Sequence, residues 1–217
     1  MLSMLSTVSY YRPLVDGALH TLALALGGMA TALFFGIVCT GFTALGNVWI
    51  NRLASAYVYF FRGTPLLTQL IAAYYLPAIL GLDVAAKPAA ILCLGLYYGA
   101  YISEILRGSL QAVPHGHIEV ARVLGMRHFS AFRRIVLPQV LANAIPALTG
   151  QFTSLVKATS LLSLITITEL TLQGRIVIVR SHDPLGTYIA IAMIYLLINA
   201  SISSASVLIE KHYRRYL

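Results

Sequence analysis

Five stretches of this chain contain no Asp, Glu, Lys or Arg, and they limit the possible folds more than any other feature of the sequence. They cover residues 17–51, 63–82, 88–103, 135–156 and 184–209. A helix needs about 20 residues, at about 1.5 Å per residue, to cross the ~30 Å hydrocarbon core of a bilayer. The stretch 88–103 reaches that length only if its helix continues past Glu104 and Arg107. The sequence therefore predicts an all-α integral membrane protein with five transmembrane helices.

The composition agrees with a membrane protein and helps to place the predicted segments. Of the 217 residues, 59% are hydrophobic and only 10% are charged, whereas soluble domains carry about 25% charge. The transmembrane domain is predicted over 17–210, with spans at about 18–45, 63–81, 88–110, 137–157 and 186–209. It is preceded by a periplasmic segment, 1–16, and followed by a cytoplasmic tail, 211–217. The uncharged run 158–168 is too short to span, so 158–180 is predicted to be an interfacial or re-entrant segment on the outer side.

Lysine and arginine are distributed unequally between the two sides of the predicted spans. Ten fall on one side and five on the other. Because cytoplasmic loops are enriched in Lys and Arg, the side with ten is predicted to be cytoplasmic, with the N-terminus outside and the C-terminus inside. This topology also accounts for the net charge of +8. A nucleic-acid partner is not predicted, because the basic residues are scattered at span ends instead of forming one folded surface; membrane lipid is the expected environment.

The longest polar segment, residues 114–136, is predicted to be a cytoplasmic loop that contains a short helix. Its arginines outnumber its single carboxylate, Glu119; they are Arg122, Arg127, Arg133 and Arg134. The helix is predicted over about 117–125, with Glu119 and Arg122 three residues apart and therefore on neighbouring positions of its surface. Gly125 is predicted to end it in a left-handed conformation.

Two ionisable side chains fall at the inner end of the third predicted span. Glu104 and Arg107 are three residues apart, so they lie on one face of a helix. An ionisable group inside a span is a candidate functional site. A partner this close nevertheless favours a structural ion pair that orients the end of the span.

Glu169 is the strongest single candidate for ligand contact. No Lys or Arg lies three or four residues from it, and a carboxylate at membrane depth is tolerated only where protein or a water-filled cavity surrounds it. Glu169 is therefore predicted either to hold a cationic or ammonium-bearing ligand or to pair with a distant basic residue. Gln69, near the start of the second span, is interpreted as an interhelical hydrogen-bonding residue, with substrate contact as the alternative.

Motifs for catalysis, nucleotide binding and metal binding are missing from the sequence. None of its three lysines follows a glycine, so the Gly-x-x-x-x-Gly-Lys phosphate loop is absent. No His-Glu-x-x-His, Gly-x-Ser-x-Gly or Cys-x-x-Cys occurs, and His115 and His117 have no third ligand nearby. The chain is predicted not to be an enzyme and not to bind a metal or cofactor, so any ATP and its magnesium would be bound by another chain.

The polar loop resembles the loop signature of the permease subunits of bacterial ABC importers. The pattern E-A-A-x3-G-x9-I-x-L-P is matched at six positions, with Val120 in place of the middle Ala: Glu119, Ala121, Gly125, Ile135, Leu137 and Pro138. Four further segments are similar to the polar amino acid permeases of the histidine, arginine and glutamine type: 60–70, 99–126, 132–148 and 154–170.

This resemblance implies partners that the composition alone does not supply. Two permease subunits, copies or paralogues, would form a dimer in the bacterial inner membrane, with two cytoplasmic ATPase subunits and an extracytoplasmic amino-acid-binding protein. The loop helix would lie in a groove of an ATPase, with Glu119, Ala121, Arg122 and Gly125 as the coupling residues.

The resemblance also implies a substrate path and a mechanism of alternating access. The path would use Glu169, together with Gln69, Thr153, Thr159 and Ser160. Some relatives for basic amino acids carry a second acid seven residues after the one at Glu169, where this chain has Ile176. Two alternatives remain: a subunit of a secondary transporter driven by an ion gradient, which usually shows internal repeats, and a membrane enzyme or scaffold.

Overall fold

The computed structural model describes residues 2–213, without the side chains of 2–11, His115 and His212. Met1 of the predicted periplasmic segment lies outside the described residues. Residues 214–217 of the predicted cytoplasmic tail, including Arg214 and Arg215, also lie outside them. The part of the chain that is described is helical and contains no strand.

Eleven helical elements follow one another along residues 2–213. In chain order they are α1 (Leu2–Ala44), α2 (Val48–Gly63), α3 (Leu66–Ile79), α4 (Ala86–Gln111), α5 (His115–Val123), α6 (His128–Ala131), a π-helical turn (Phe132–Val136), α7 (Leu137–Ala158), a 3-10 helix (Thr159–Ile165), α8 (Leu170–Ser181) and α9 (Pro184–Tyr213).

Helix α4 is the centre of the bundle, and its most extensive contact is with α1. The Oγ1 of Thr31 donates a hydrogen bond to the carbonyl of Ile91 at 3.2 Å, and the Oγ1 of Thr40 donates to the carbonyl of Ser103, also at 3.2 Å. Since the contact advances along both helices together, α1 and α4 run in the same direction.

Glycine allows the backbones of α1 and α4 to approach closely. A Cβ added at Gly95 of α4 would lie 2.6 Å from the Cβ of Thr31, and one added at Gly36 of α1 would lie 2.8 Å from the Cβ of Ile102. Neither position has room for a side chain. In a membrane, where apolar side chains gain little by leaving lipid, such close packing is a main source of helix association.

Helix α7 runs antiparallel to its neighbours and sets the two ends of the bundle. The Thr149 Oγ1 of α7 lies 2.6 Å from Ser206 Oγ of α9, and towards the other end of α7 Tyr195 of α9 packs against the core cluster that contains Leu155. The ends of α1, α4 and α9 therefore lie with the start of α7. Helix α5 lies in the connection from α4 to α7, so we call this end of the bundle the α5 end.

The predicted second span differs from a full transmembrane helix. By length and composition, four segments of the described chain could cross a membrane: Arg12–Ala44, Ala86–Gln111, His128–Ile165 and Pro184–Lys211. In place of a fifth, the predicted span 63–81 contains only α3, whose 14 residues extend about 21 Å. Pro65 has no backbone N–H, and its ring fixes its φ angle. The helix is therefore interrupted at this point, and the preceding residues form the separate amphipathic helix α2.

Two other predicted segments have different boundaries in the structure. Helix α1 begins at Leu2, well before residue 18, and Leu14 is buried against α8 and α9 together with Leu170, Val177 and Ile191. The predicted interfacial segment 158–180 contains two helices, the 3-10 helix and α8, joined by a turn in which Thr166 adopts a φ of 60°. This turn positions Glu169 at the start of α8.

We expect Gly95→Ala to destabilise the bundle, because the new methyl group overlaps Thr31 and must push α1 away from α4. Overpacking of this kind costs about 1–3 kcal/mol, and the better helix propensity of alanine offsets only part of it. Thermal unfolding of the purified protein in detergent measures the effect. Gly41→Ala is the matched control in α1, since no atom lies within 4 Å of the added Cβ; equal stability of the two variants would contradict the α1–α4 packing.

Candidate functional site

Helix α5 ends in the left-handed conformation that the sequence predicts at Gly125. Gly125 has a φ of 72°, which glycine adopts without the steric cost paid by other residues. The N–H of Met126 donates to the carbonyl of Ala121 at 3.0 Å, and the N–H of Gly125 donates to the carbonyl of Arg122 at 2.9 Å. These two bonds form a Schellman motif, which turns the chain sharply out of the helix.

The two faces of α5 separate the predicted coupling residues. Ala121 is 0% exposed, so its side chain faces its own bundle, and its contact with a partner protein stays a prediction. A small residue is needed there because α5 packs closely onto the bundle, where Ile118 contacts the cluster of Val113, Val136 and Val140. The outward face instead carries the predicted Glu119 and Arg122, both exposed.

The outward face of α5 carries an apolar stripe, whereas the sequence had grouped Val123 and Leu124 with Ile118 and Ala121 on a single apolar side. Val120, Val123 and Leu124 are exposed, Val123 to 88%. Beyond the helix, Phe129 and the arginines Arg127, Arg133 and Arg134 are also exposed. An apolar stripe beside basic side chains is the pattern expected of a protein-binding surface with a polar rim. The apolar residues themselves were a signal in the sequence, but their periodicity did not show which side faces outward.

A hydrogen-bonded pair fixes α5 to the start of α7. Gln139 is buried, and its Nε2 donates to the carbonyl of Ile135 at 2.8 Å. Its Oε1 lies 3.0 Å from Nδ1 of His117. Since this amide oxygen can only accept, His117 carries its proton on Nδ1. The pair links the residues before the π-helical turn to those after it. The local sequence pattern did not predict this contact, because His117 and Gln139 are 22 positions apart.

Glu104 and Arg107 form a two-bonded ion pair on α4. Arg107 donates from Nε to Glu104 Oε1 at 3.0 Å and from its second terminal nitrogen to Oε2 at 2.7 Å. Its remaining terminal nitrogen donates to Gln111 at 3.3 Å. A second arginine, Arg62 at the end of α2, lies 3.9 Å from Glu104 and over the ring of Tyr101 at 5.1 Å. The proximity of Arg62 to this pair has no signal in the local sequence, because Arg62 precedes Glu104 by 42 residues.

These charged side chains line a cavity of about 880 Å³ near the α5 end. Its walls are the last two turns of α1, one face of α2 and the last turns of α4. Most of the lining on α2 is polar: Asn51, Ser55, Tyr59 and Arg62. These residues are spaced by three or four and so lie on one face of the helix.

Glu169 is fully enclosed and acts as the N-cap of α8. Its side chain is 0% exposed. Oε1 accepts from the N–H of Leu172 at 2.7 Å, and Oε2 accepts from the N–H of Thr171 at 2.9 Å and from the hydroxyl of Tyr195 at 3.0 Å. A carboxylate that satisfies two free N–H groups at a helix start stabilises that helix. The predicted contact of Glu169 with a ligand stays a prediction, and the geometry adds a capping role.

The other residues of the predicted substrate path each form a local hydrogen bond within the described chain. Gln69 is buried, and its Nε2 donates to Thr64 Oγ1 at 2.6 Å. This hydrogen bond connects α3 to the residue just before the interruption at Pro65. Thr159 is buried and bonds the carbonyl of Val156 at 2.8 Å. Thr153 and Ser160 bond carbonyls of their own helical segments, Gly150 and Lys157. Among the described residues, no group of three His, Cys, Asp or Glu side chains could hold a metal ion.

Comparison with known proteins identifies relatives along nearly the whole chain. The L-cystine transport system permease protein TcyB of Bacillus subtilis is 35% identical over 96% of this chain and 90% of its own length. The histidine/lysine/arginine/ornithine permease HisQ of Salmonella typhimurium is 30% identical over 92% of both chains. The glutamine permease GlnP of Escherichia coli is 32% identical over 88% of both.

Solved structures share the fold. A crystal structure of an amino acid ABC transporter with histidines matches with a TM-score of 0.87 and 32% identity over 96% of this chain and 97% of that chain. The MetNI methionine ABC transporter, at 22% identity and a TM-score of 0.76, shows the same fold. The model of the family described as "Binding-protein-dependent transport system inner membrane component" matches residues 13–215. The chain therefore belongs to this family of transport-system membrane components.

Proposed function

We infer that this chain is the transmembrane permease subunit of an ABC importer for polar amino acids. The observation that carries the inference is the similarity, over 88–96% of the chain, to permeases whose names specify cystine, histidine or glutamine transport. The basic helix α5, exposed at one end of an apolar bundle, supports it. ATP and magnesium would bind to a partner chain, since this sequence has no phosphate loop.

The proposed arrangement has the α5 end in the cytoplasm and the start of α1 outside. Arg62, Arg107 and the loop arginines belong to the α5 end, which therefore agrees with the positive-inside rule. In this arrangement α3, with the adjoining α2, crosses as a broken second span. The protein would lie in the inner membrane of a bacterium with a second permease subunit, two ATPase subunits and an extracytoplasmic amino-acid-binding protein.

Helix α5 is proposed to transmit ATPase movements to the bundle. Glu119, Arg122 and the exposed Val123 are available to a groove on the ATPase, whereas Gly125 and the buried Ala121 shape the helix and hold it on the bundle. The bond between His117 and Gln139 would carry a movement of α5 directly to α7. Such movements would switch access to the path between the two sides of the membrane.

Glu169 is proposed to support the path by fixing the geometry between the 3-10 helix and α8. Direct contact of Glu169, Gln69, Thr153, Thr159 or Ser160 with substrate is retained as a proposal. Thr153 and Ser160 are the partly exposed members of this set, so they are the most accessible to a ligand. The alternative of a secondary transporter is not supported, because the relatives are components of ABC transporters.

Uptake of labelled amino acids by a strain that lacks this gene tests the proposed function. We expect ATP-dependent uptake of at least one polar amino acid to fall in the deletion strain and to return when the chain is supplied from a plasmid. Uptake of a panel of polar amino acids that is identical in the parent and the deletion strain would contradict the proposal.

We expect Glu119→Lys to uncouple transport from ATP hydrolysis, because it reverses the charge of the only carboxylate on the exposed surface of α5. The number of ATP molecules hydrolysed per amino acid transported, measured in proteoliposomes, should rise several-fold while membrane insertion is unchanged. Asp83→Lys reverses an exposed acid at the opposite end of the bundle and should leave this ratio unchanged. An unaltered ratio in Glu119→Lys would contradict the coupling role.

We expect Glu169→Ala to lower both stability and uptake, because the start of α8 loses its cap and buried N–H groups lose their acceptors. Loss of an N-cap costs about 0.5–2 kcal/mol, which thermal unfolding in detergent detects. Glu169→Gln keeps one acceptor oxygen and should lose less stability. If Glu169→Ala has normal stability and normal uptake kinetics for several amino acids, both the capping and the path roles are wrong.

A further inference from the structure

We propose that a cavity between α5 and the helical segment that follows it receives an apolar side chain of the ATPase subunit, from a segment that also carries acidic residues. This inference rests on the proposed function, since it takes an ATPase as the partner of α5. It goes further by assigning a second contact on the inner side of α5, where the ATPase would insert a side chain into the permease.

This cavity, which we call the α5 cavity, lies between three helical segments of the α5 end and has a volume of about 280 Å³. Leu110 of α4, Ile118 of α5, and Phe132 and Val136 of the π-helical turn belong to its walls. Apart from Arg122 and His128, its lining residues in the described chain are apolar. The α5 cavity is therefore an apolar space with two basic side chains.

The α5 cavity has room for one large side chain. An engineered apolar cavity of about 150 Å³ binds benzene, so a volume of about 280 Å³ is enough for an aromatic ring or a branched aliphatic side chain. Typical sites for small molecules measure ~300–1,000 Å³, which is larger than this cavity. Its size therefore fits a single inserted side chain better than a nucleotide.

The position of the α5 cavity favours a protein over the acyl chain of a lipid. The uncharged run 135–156 has the length of about 20 residues that crosses the hydrocarbon core, so Val136 lies at the inner boundary of that core. His128 lies eight residues earlier on the same helical segment, about 12 Å along the helix axis. In the proposed orientation the cavity thus extends from the membrane boundary into the cytoplasm.

The α5 cavity is accessible from outside the bundle and is continuous with the outward face of α5. Phe132 is 44% exposed, and Arg122 and His128 are exposed. Arg122 belongs both to the exposed surface of α5 and to the lining of the cavity. Apolar walls in contact with water favour the insertion of an apolar group. Side chains that fill such pockets dominate the affinity of many protein interfaces.

The charges around the α5 cavity favour an acidic partner. Among the described residues that line it none is acidic, whereas Arg122 and His128 do line it. Arg133 and Arg134 are exposed nearby in the chain, and both ion pairs of the described chain involve Glu104 instead. The same basic surface on a second copy of this chain would repel it. An ATPase segment with acidic residues beside its apolar side chain complements this surface.

Ala131→Leu tests the proposal by filling the α5 cavity. Ala131 lines the cavity and is 8% exposed, so a leucine side chain occupies the space of the inserted group. We expect the Kd of the ATPase for the permease in nanodiscs to rise about tenfold or more, because a buried apolar contact is lost. The unfolding temperature of the permease alone should not fall, since filling a cavity is usually stabilising. Ala112→Leu is the matched control, because Ala112 is exposed and does not line the cavity.

Photocross-linking in the complete importer provides a second measurement that does not depend on the folding of Ala131→Leu. Photo-methionine is close in size to methionine and is incorporated in its place, including at Met126, which lines the cavity. We expect mass spectrometry to find position 126 joined to an ATPase peptide that carries an apolar residue next to Asp or Glu. Adducts of position 126 only with phospholipid, with a permease subunit, or with an ATPase peptide that lacks these residues would overturn the inference.

The remaining outcomes separate the possible failures. An unchanged Kd in Ala131→Leu, or an equal rise in Ala112→Leu, would overturn the inference while ATP-dependent uptake by the unaltered importer leaves the proposed function intact. A lower unfolding temperature of Ala131→Leu would show that the cavity has no room for a side chain, and the inference would be wrong. Absence of both ATPase binding and ATP-dependent uptake in the unaltered protein would refute the proposed function itself.

Discussion

Close contact between α1 and α4 is the interaction on which the rest of this structure depends. Within a bilayer the hydrophobic effect does not drive two apolar helices together, so their association depends on packing and on short polar contacts. Gly36, Gly95 and the hydroxyls of Thr31 and Thr40 provide both. The cavity of about 880 Å³ is bounded on two sides by the ends of this helix pair. Helix α4 then leads directly to α5, so a movement of α5 would act on the centre of the bundle.

Three carboxylates have three different environments, and these environments suggest three different tasks. Glu169 is enclosed and fully hydrogen-bonded, which suits a structural cap. Glu104 is paired with Arg107 and partly exposed to a cavity, which suits a structural ion pair near the end of α4. Glu119 is exposed on α5 and is available to another protein. In the proposed account the same side-chain chemistry would therefore serve a helix cap, an ion pair and coupling, depending on burial and on neighbouring donors.

Local sequence patterns predicted the helical membrane fold and the turn at Gly125, because uncharged length and glycine conformation are properties of short segments. They did not predict contacts between distant segments. Arg62 and Glu104 are 42 residues apart, and nothing local indicates that α2 returns to α4. The burial of Ala121 also depends on packing against another helix. The sequence contains Pro65, which interrupts the helix, but the prediction of a span at 63–81 rested on the length of the uncharged run around it.

The central claim is that the bundle moves amino acids only when another protein drives α5. Uptake into vesicles that contain this permease, with and without its ATPase subunits, measures this most directly. The account predicts that accumulation requires ATP and the ATPase together, with the binding protein present on the opposite side of the membrane. Concentrative uptake by the permease alone, driven by an ion gradient and indifferent to ATP, would contradict it.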